Sequence, residues 1–214
     1  MNIAARIAAA TWVGACLFPL VMGQEPAPGG AQAQTKSATR APAKAQTRPH
    51  GQRVKVDPAL VAVEDGDTVV IKWPDAGAET VRILGIDTPE TRRLEHNLPF
   101  DQPLGKEATA FARGAFAAAS EIELLRCPTL DPYDRTLGYL FLNGRNFSIM
   151  VIKARYSTET VSHYGDNGLP AEAALVKEAA KEIGPLPFEP PHLFRARMRD
   201  LTNWMKQTGQ YPAN

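Results

Sequence analysis

Four short stretches carry side chains whose types and spacing suit chemistry on a charged substrate: Asp65-Gly66-Asp67-Thr68, Arg82, Asp87-Thr88-Pro89-Glu90 and Asp131-Pro132-Tyr133-Asp134-Arg135. Grouped carboxylates can hold a hard cation or accept protons, and guanidinium groups grip oxyanions through paired hydrogen bonds. Taken singly, each stretch has a plainer reading. Asp and Gly are default turn residues, Pro89 stiffens a loop and keeps Thr88 extended, Arg82 suits an exposed strand position, and Arg135 suits a turn paired with a neighbouring acid. Cysteine cannot build a zinc site, because Cys127 is the one thiol left if an N-terminal leader is removed; it ends an apolar run and reads as a small core residue.

The elements that must position these groups are legible from alternation. Val61 to Val63, Thr68 to Trp73 and Glu79 to Ile86 are short β-branched runs separated by Asp65-Gly66 and by Pro74 to Gly77, and they read as consecutive antiparallel strands. Ala108, Phe111, Ala112, Ala115, Phe116 and Ala119 recur at spacings of three and four, one face of a helix. Glu121 to Leu125 and Leu137 to Leu142 read as two more strands, the second closed by Asn143-Gly144. Ile149 to Ala154 and Ala171 to Glu182 read as helices, the latter after Pro170. The fold class expected is α+β, mainly β: a five-stranded, partly open barrel of the oligonucleotide-binding class (OB-fold) with about three packed helices. Arg82 alternates with Val81 and Ile83, so it projects to the face opposite theirs. Asp87 and Glu90 follow that strand and Asp67 opens its hairpin partner, so three carboxylates and a guanidinium can meet at one end of the barrel.

In order and spacing these residues resemble the staphylococcal nuclease, or thermonuclease, family: the Asp65 to Thr68 stretch, Arg82 five residues before Asp87-Thr88-Pro89-Glu90, Gly105-Lys106-Glu107-Ala108 opening a helix, and Asp131 to Arg135 leading into Leu137 to Phe141. The resemblance covers roughly residues 58 to 183. It implies a calcium-dependent phosphodiesterase acting on DNA and RNA, with Asp67, Asp87 and the Thr88 carbonyl as ligands of Ca2+, Glu90 acting on the attacking water, and Arg82 and Arg135 holding the phosphate. A non-catalytic barrel that binds nucleic acid or a cell-surface polymer is the alternative. Asp134 stands where the family has glycine, which puts a negative charge beside Arg135 and is expected to draw it from the phosphate. Tyr156 and Tyr164 do not match the family's nucleotide-contacting tyrosines in spacing; either of them, or His163, reads as a base-stacking group or as part of a surface loop ending in Gly165 to Gly168.

The whole chain, 214 residues with 24 basic and 23 acidic side chains, is nearly neutral only on average. Ile7 to Met22, 16 residues, carries no charge, follows Arg6 and ends at Gly23; residues 1–23 read as a secretory signal peptide, because that run is shorter than the ~20 apolar residues of a membrane-spanning helix and a permanent anchor is the lesser reading. Val13-Gly14-Ala15-Cys16 resembles a lipoprotein box, with Cys16 as the lipidated alternative. Residues 24–54 are expected to form a disordered Ala/Pro/Gln-rich tether; their first 27 residues hold no large apolar side chain and four basic groups against one acid. The domain is expected over residues 55–184, followed at 185–214 by a proline-rich segment and a basic amphipathic stretch, Leu193 to Lys206, that is either docked or loose. The chain reads as a monomer that is secreted, periplasmic or held at the cell envelope by its N-terminus. From residue 51 onward 19 basic groups face 22 acidic ones, so affinity for a polyanion must come from local arrangement rather than net charge.

Overall fold

A computed structural model describes residues 43–212. The expected signal peptide, Cys16 and residues 24–42 of the expected tether lie outside that range. Among the described residues no helix is long and apolar enough to cross a membrane.

Among the described residues seven strands form one sheet, with two 3-10 turns and five α-helices around it: β1 (Arg53–Val56), β2 (Val61–Val63), β3 (Thr68–Trp73), β4 (Gly77–Ile83), α1 (Gly105–Ala117), β5 (Ile122–Leu130), β6 (Thr136–Leu142), β7 (Arg145–Asn146), α2 (Phe147–Lys153), α3 (Val161–Tyr164), α4 (Pro170–Ala180) and α5 (Pro191–Gln207). The sheet order is β1-β5-β6-β4-β3-β2, with β7 appended to β6. All pairings are antiparallel except β4 with β6. The edge strands β1 and β2 are consecutive in the chain. Asp57 and the 3-10 turn Pro58–Leu60 alone connect them, with the Asp57 carboxylate accepting from the Ala59 N–H. Six flat strands would hold their edges about 24 Å apart, more than such a compact link spans. The sheet therefore curls into a half-barrel.

Alternation sets the inner face: Val69 and Ile71 on β3, and Val81 and Ile83 on β4, are all but inaccessible. β6 runs through the middle and is covered on both faces, α2 packing against it, so Tyr139, Leu140 and Phe141 are buried in succession. Each such side chain contributes about 1.5–3 kcal/mol by leaving water. Cys127 is a buried free thiol within this core.

Three expectations change. Among the described residues the sheet has seven strands and the helices number five: β1 has only two apolar residues between charged ones, β7 is two residues long and α3 is a single turn, so none of these stands out by periodicity, whereas α5 is the expected basic amphipathic stretch. The strand expected to reach Ile86 ends at Ile83, since Gly85 turns the chain at φ +80° and Ile86 instead bridges to Glu159. The ordered domain also starts before residue 55: Ala45 bridges to Thr129, Leu130 N donates to the Lys44 carbonyl, Gln46 N donates to the Pro128 carbonyl, and β1 begins at Arg53. Main-chain hydrogen bonds anchor this strap, so its lack of apolar side chains does not prevent docking.

Candidate active site

The site is built where β3 begins and β4 ends. The register sets Thr68 opposite Arg82, and the Asp67 carbonyl accepts from the Ile83 N–H at 2.9 Å, which fixes Asp67 beside the Arg82 side chain. Gly66 lets this turn lie against the next loop; a Cβ there would stand 2.5 Å from the Thr88 hydroxyl oxygen. Arg82 NH1 pairs with the Asp67 carboxylate, and NH2 donates to Asp87 Oδ1 at 2.8 Å. Asp67 Oδ2 accepts from both the Thr88 N–H, at 2.7 Å, and the Thr88 hydroxyl, at 3.0 Å. Asp67, Arg82, Asp87 and Thr88 thus form one bonded group.

Two buried polar residues hold the loop that carries Asp87 to Glu90. The Ser157 hydroxyl, inaccessible to water, accepts from the Asp87 N–H at 2.9 Å. Gln102 brackets Glu90: its side-chain oxygen accepts from the Glu90 N–H at 3.1 Å, and its own N–H donates to the Glu90 carbonyl at 2.8 Å. The start of α1 presses on the same carbonyl, leaving no room for a Cβ at Gly105.

A further guanidinium arrives from the last helix. Arg195 NH1 and NH2 lie 3.1 and 3.0 Å from the two oxygens of Asp87, and NH1 also reaches Glu90 Oε1. Burial pushes the Glu90 carboxyl up, the Asp67 charge adds to it, and Arg195 opposes both, leaving it at about 7. Asp65 behaves similarly: burial and then Asp67 raise it to about 6 against the pull of Arg93, 2.9 Å away. For Asp67 burial also acts upward, but the Arg82 charge and the Thr88 hydrogen bonds reverse it, so its carboxyl stays below the ordinary range.

Five of the six residues singled out by sequence therefore converge: Asp67, Arg82, Asp87, Thr88 and Glu90. Arg135 does not join them. It lies just ahead of β6, two residues before Leu137, the parallel partner of Arg82. Its Nε, however, donates to Asp131 Oδ2 at 2.7 Å, while Asp131 Oδ1 accepts from the Tyr133 and Arg135 N–H groups. Asp134, expected to draw Arg135 aside, instead takes the left-handed conformation (φ +63°) and pairs with Lys44 at 2.6 Å. Tyr156 packs on Phe111, ring centroids 5.4 Å apart, and is a core contact rather than an open stacking platform. Tyr164 is exposed and meets His163 edge-on, and His163 in turn stacks on His192 of α5.

Sequence reasoning missed Ser157, Gln102 and Arg195. The first two bond to backbone groups and leave no pattern in the sequence; α5 was legible as an amphipathic stretch, but not where its arginine points.

The family model described as Staphylococcal nuclease homologue matches residues 80–183. Residues 80–183 thus resemble the staphylococcal nuclease family. The chain is 39% identical over 92 residues to the thermonuclease of Staphylococcus intermedius, covering 42% of this chain and 52% of that protein. It is 33% identical over 94 residues to the thermonuclease of Staphylococcus hyicus, covering 44% and 53%. The SPbeta prophage-derived endonuclease YokF of Bacillus subtilis is 29% identical over 99 residues, 46% of this chain and 32% of that protein. The chain spans about half the length of the thermonucleases it matches. Arg195 lies beyond the part of the chain that the nuclease family model matches.

The donors suit a hard dication. Asp67 and Asp87 are brought side by side on one guanidinium, the Thr88 carbonyl is adjacent in sequence, and every donor is oxygen. Among the described residues no three His, Cys, Asp or Glu side chains converge as a ligand cluster, so protein carboxylates would supply only part of a coordination shell.

Proposed function

We propose that this domain is a metal-dependent nuclease that hydrolyses phosphodiester bonds of DNA and RNA. The observation that carries this reading is the bonded convergence of Asp67, Arg82, Asp87, Thr88 and Glu90 in a domain that resembles the staphylococcal nuclease family. The curled sheet is taken as an OB-type barrel, the protein as a monomer, and the chain as one exported by its N-terminal leader to the periplasm, the cell envelope or the medium.

Asp67, Asp87 and the Thr88 carbonyl would hold Ca2+. When bound, that cation neutralises phosphate charge and orients the water that attacks. Glu90, whose carboxyl is raised to about 7 by burial and by Asp67, is a base matched to neutral pH and accepts the water's proton at its carboxylate oxygen. Arg82 is held by Asp67 and Asp87 through three of its five N–H groups, one of them on the Asp67 carbonyl. The other two are available to phosphate oxygens, and their bonds strengthen as charge builds on phosphorus. Arg135 reaches the same phosphate when it releases Asp131.

The test is degradation of DNA and RNA by the purified chain with calcium and with chelator, beside Arg82→Ala and Glu90→Gln. Arg82→Ala should cost at least ~10²-fold in kcat, because its remaining donors act mainly in the transition state. Absence of metal-dependent cleavage, or full activity in the double variant, overturns the reading. An oligonucleotide that is retained intact would indicate the binding module instead.

A further inference from the structure

Arg195 holds an unusual place. It belongs to α5, outside the family match, and yet it bonds both oxygens of Asp87 and one of Glu90. The platform that aims it is a separate small cluster: Phe194 and Met198 pack on Leu98, apart from the main core. Polar contacts complete the docking. The Thr202 hydroxyl donates to the Asn97 carbonyl at 3.1 Å, Lys206 Nζ to Asn97 Oδ1 at 2.7 Å, and Gln102 Nε2 to the Glu189 carbonyl at 2.6 Å.

Counting acceptor positions shows what this contact does. A carboxylate offers four lone-pair sites. Asp67 spends all of them, on Thr68, Arg82 and twice on Thr88. Asp87 spends three, Oδ1 on Arg82 and Arg195 and Oδ2 on Arg195. On Asp67 the donor most readily replaced is the Thr68 hydroxyl, at 3.3 Å. The one site left on Asp87 lies on Oδ2, the oxygen that Arg195 already grips, so a dication approaching Asp87 meets that guanidinium directly and the two cations compete for one carboxylate. Arg82 sits on a central strand with 18% of its side chain exposed; Arg195 is 31% exposed and rides on a helix joined through the satellite cluster. Arg195 is the donor that can leave.

We propose that Arg195 is a built-in counter-cation that competes with the divalent metal for Asp87 and Glu90, so that metal binding and withdrawal of α5's arginine are a single linked event. This rests on the reading that Asp67 and Asp87 are the metal ligands. By linkage, whatever holds α5 down weakens metal binding, and metal in turn weakens the hold on α5 to the same degree.

The experiment is calorimetric titration of the full chain with calcium alone, no nucleic acid present. Arg195→Ala should bind calcium about tenfold more tightly than the unaltered chain, the exchange of one partly buried ion pair for the metal. Arg195→Lys should fall between, since an ammonium cannot span both Asp87 oxygens. The double variant Phe194→Ala with Met198→Ala, which leaves every site residue in place, should also tighten binding because it lowers the effective concentration of Arg195 at the site. Equal or weaker calcium affinity in Arg195→Ala and in the platform variant, with the unaltered chain still binding, overturns the competition and leaves the metal reading standing. No calcium binding by any of them overturns both.

Discussion

Arg126 on β5 and Glu79 on β4 close a bidentate ion pair across the intervening strand β6, at 2.7 and 2.8 Å, with each side chain only 3% exposed. Gly138 of β6 lets the β5 backbone lie close beside it: a Cβ there would stand 2.6 Å from the Leu125 carbonyl oxygen and 3.3 Å from the Arg126 Cα. Thr136 and the Trp73 indole complete the Glu79 hydrogen bonds. Removing Arg126 leaves the buried Glu79 charge with only the more distant Arg48, at 3.8 Å, so Arg126→Met should cost about 3 kcal/mol in urea unfolding. The pair also sets an acid limit. Burial pushes the Glu79 carboxyl up, but the bonds from Arg126, Thr136 and Trp73 more than reverse this and hold it below its ordinary value. A folded-state value below the unfolded one means stability that is present above about 4.5 and lost as pH falls further. Glu79→Gln should be less stable at pH 7 and lose less on going to pH 3; an unchanged pH slope would contradict the assignment.

Glu90 should show the opposite slope. Its folded-state carboxyl lies at about 7, above the unfolded value, so its contribution to stability is complete below about 4.5 and is lost as pH rises through 7. Thermal unfolding of metal-free Glu90→Gln should accordingly lack a decline that the unaltered chain shows between pH 5 and 8. The same substitution should abolish cleavage. In the loaded enzyme the cation's charge pulls Glu90 down, so the acidic limb of the kcat profile should fall below pH 7.

Two glycines of α1 separate close approach from mere helix propensity. A Cβ at Gly105 would overlap the Glu90 carbonyl oxygen and lie 2.8 Å from its carbonyl carbon, backbone that cannot swing aside. Gly105→Ala should cost about 1–3 kcal/mol and lower kcat by displacing Glu90. Gly114 has nothing within 4 Å of its would-be Cβ, so Gly114→Ala should instead stabilise by about 0.5–1 kcal/mol with activity unchanged.

Asp134→Gly removes a left-handed aspartate at φ +63° and an exposed pair with Lys44. The backbone gain, up to about 1 kcal/mol, offsets or exceeds a surface ion pair worth at most about the same. Melting temperature should hold or rise slightly, and cleavage should be unaffected, since Asp131 and not Asp134 holds Arg135. A marked change in kcat would show that the charge at 134 reaches the site.

Much of the site was legible because it is local. Asp67, Arg82, Asp87 and Glu90 lie within one hairpin and its exit loop, and strand alternation with a short turn is enough to bring them together. The β-branched runs marked β2 to β4, and the apolar runs marked β5 and β6, for the same reason. What escaped was contact at long range or through the main chain: Arg195 meets Asp87 across 108 positions, Ser157 binds a backbone N–H 70 positions away, and residues 44–51 dock through backbone bonds that side-chain types do not announce. Arg135 shows another limit. The chain puts it just before β6, the parallel neighbour of β4, but a carboxylate four residues earlier offers a nearer partner than any phosphate.

The strap ahead of β1 has a mechanical consequence. It is fastened to β5 at three points, with Leu130 bonding to Lys44, Gln46 to Pro128, and Gly51 to Arg126. Lys44, the first of these attachments in the chain, also grips Asp134. Tension applied upstream of residue 44 is therefore borne first by Leu130, next to Asp131, and by Asp134, next to Arg135. An N-terminal tether under load would pull on the turn that holds Arg135 before it strained the core, making that arginine the part of the site most exposed to force.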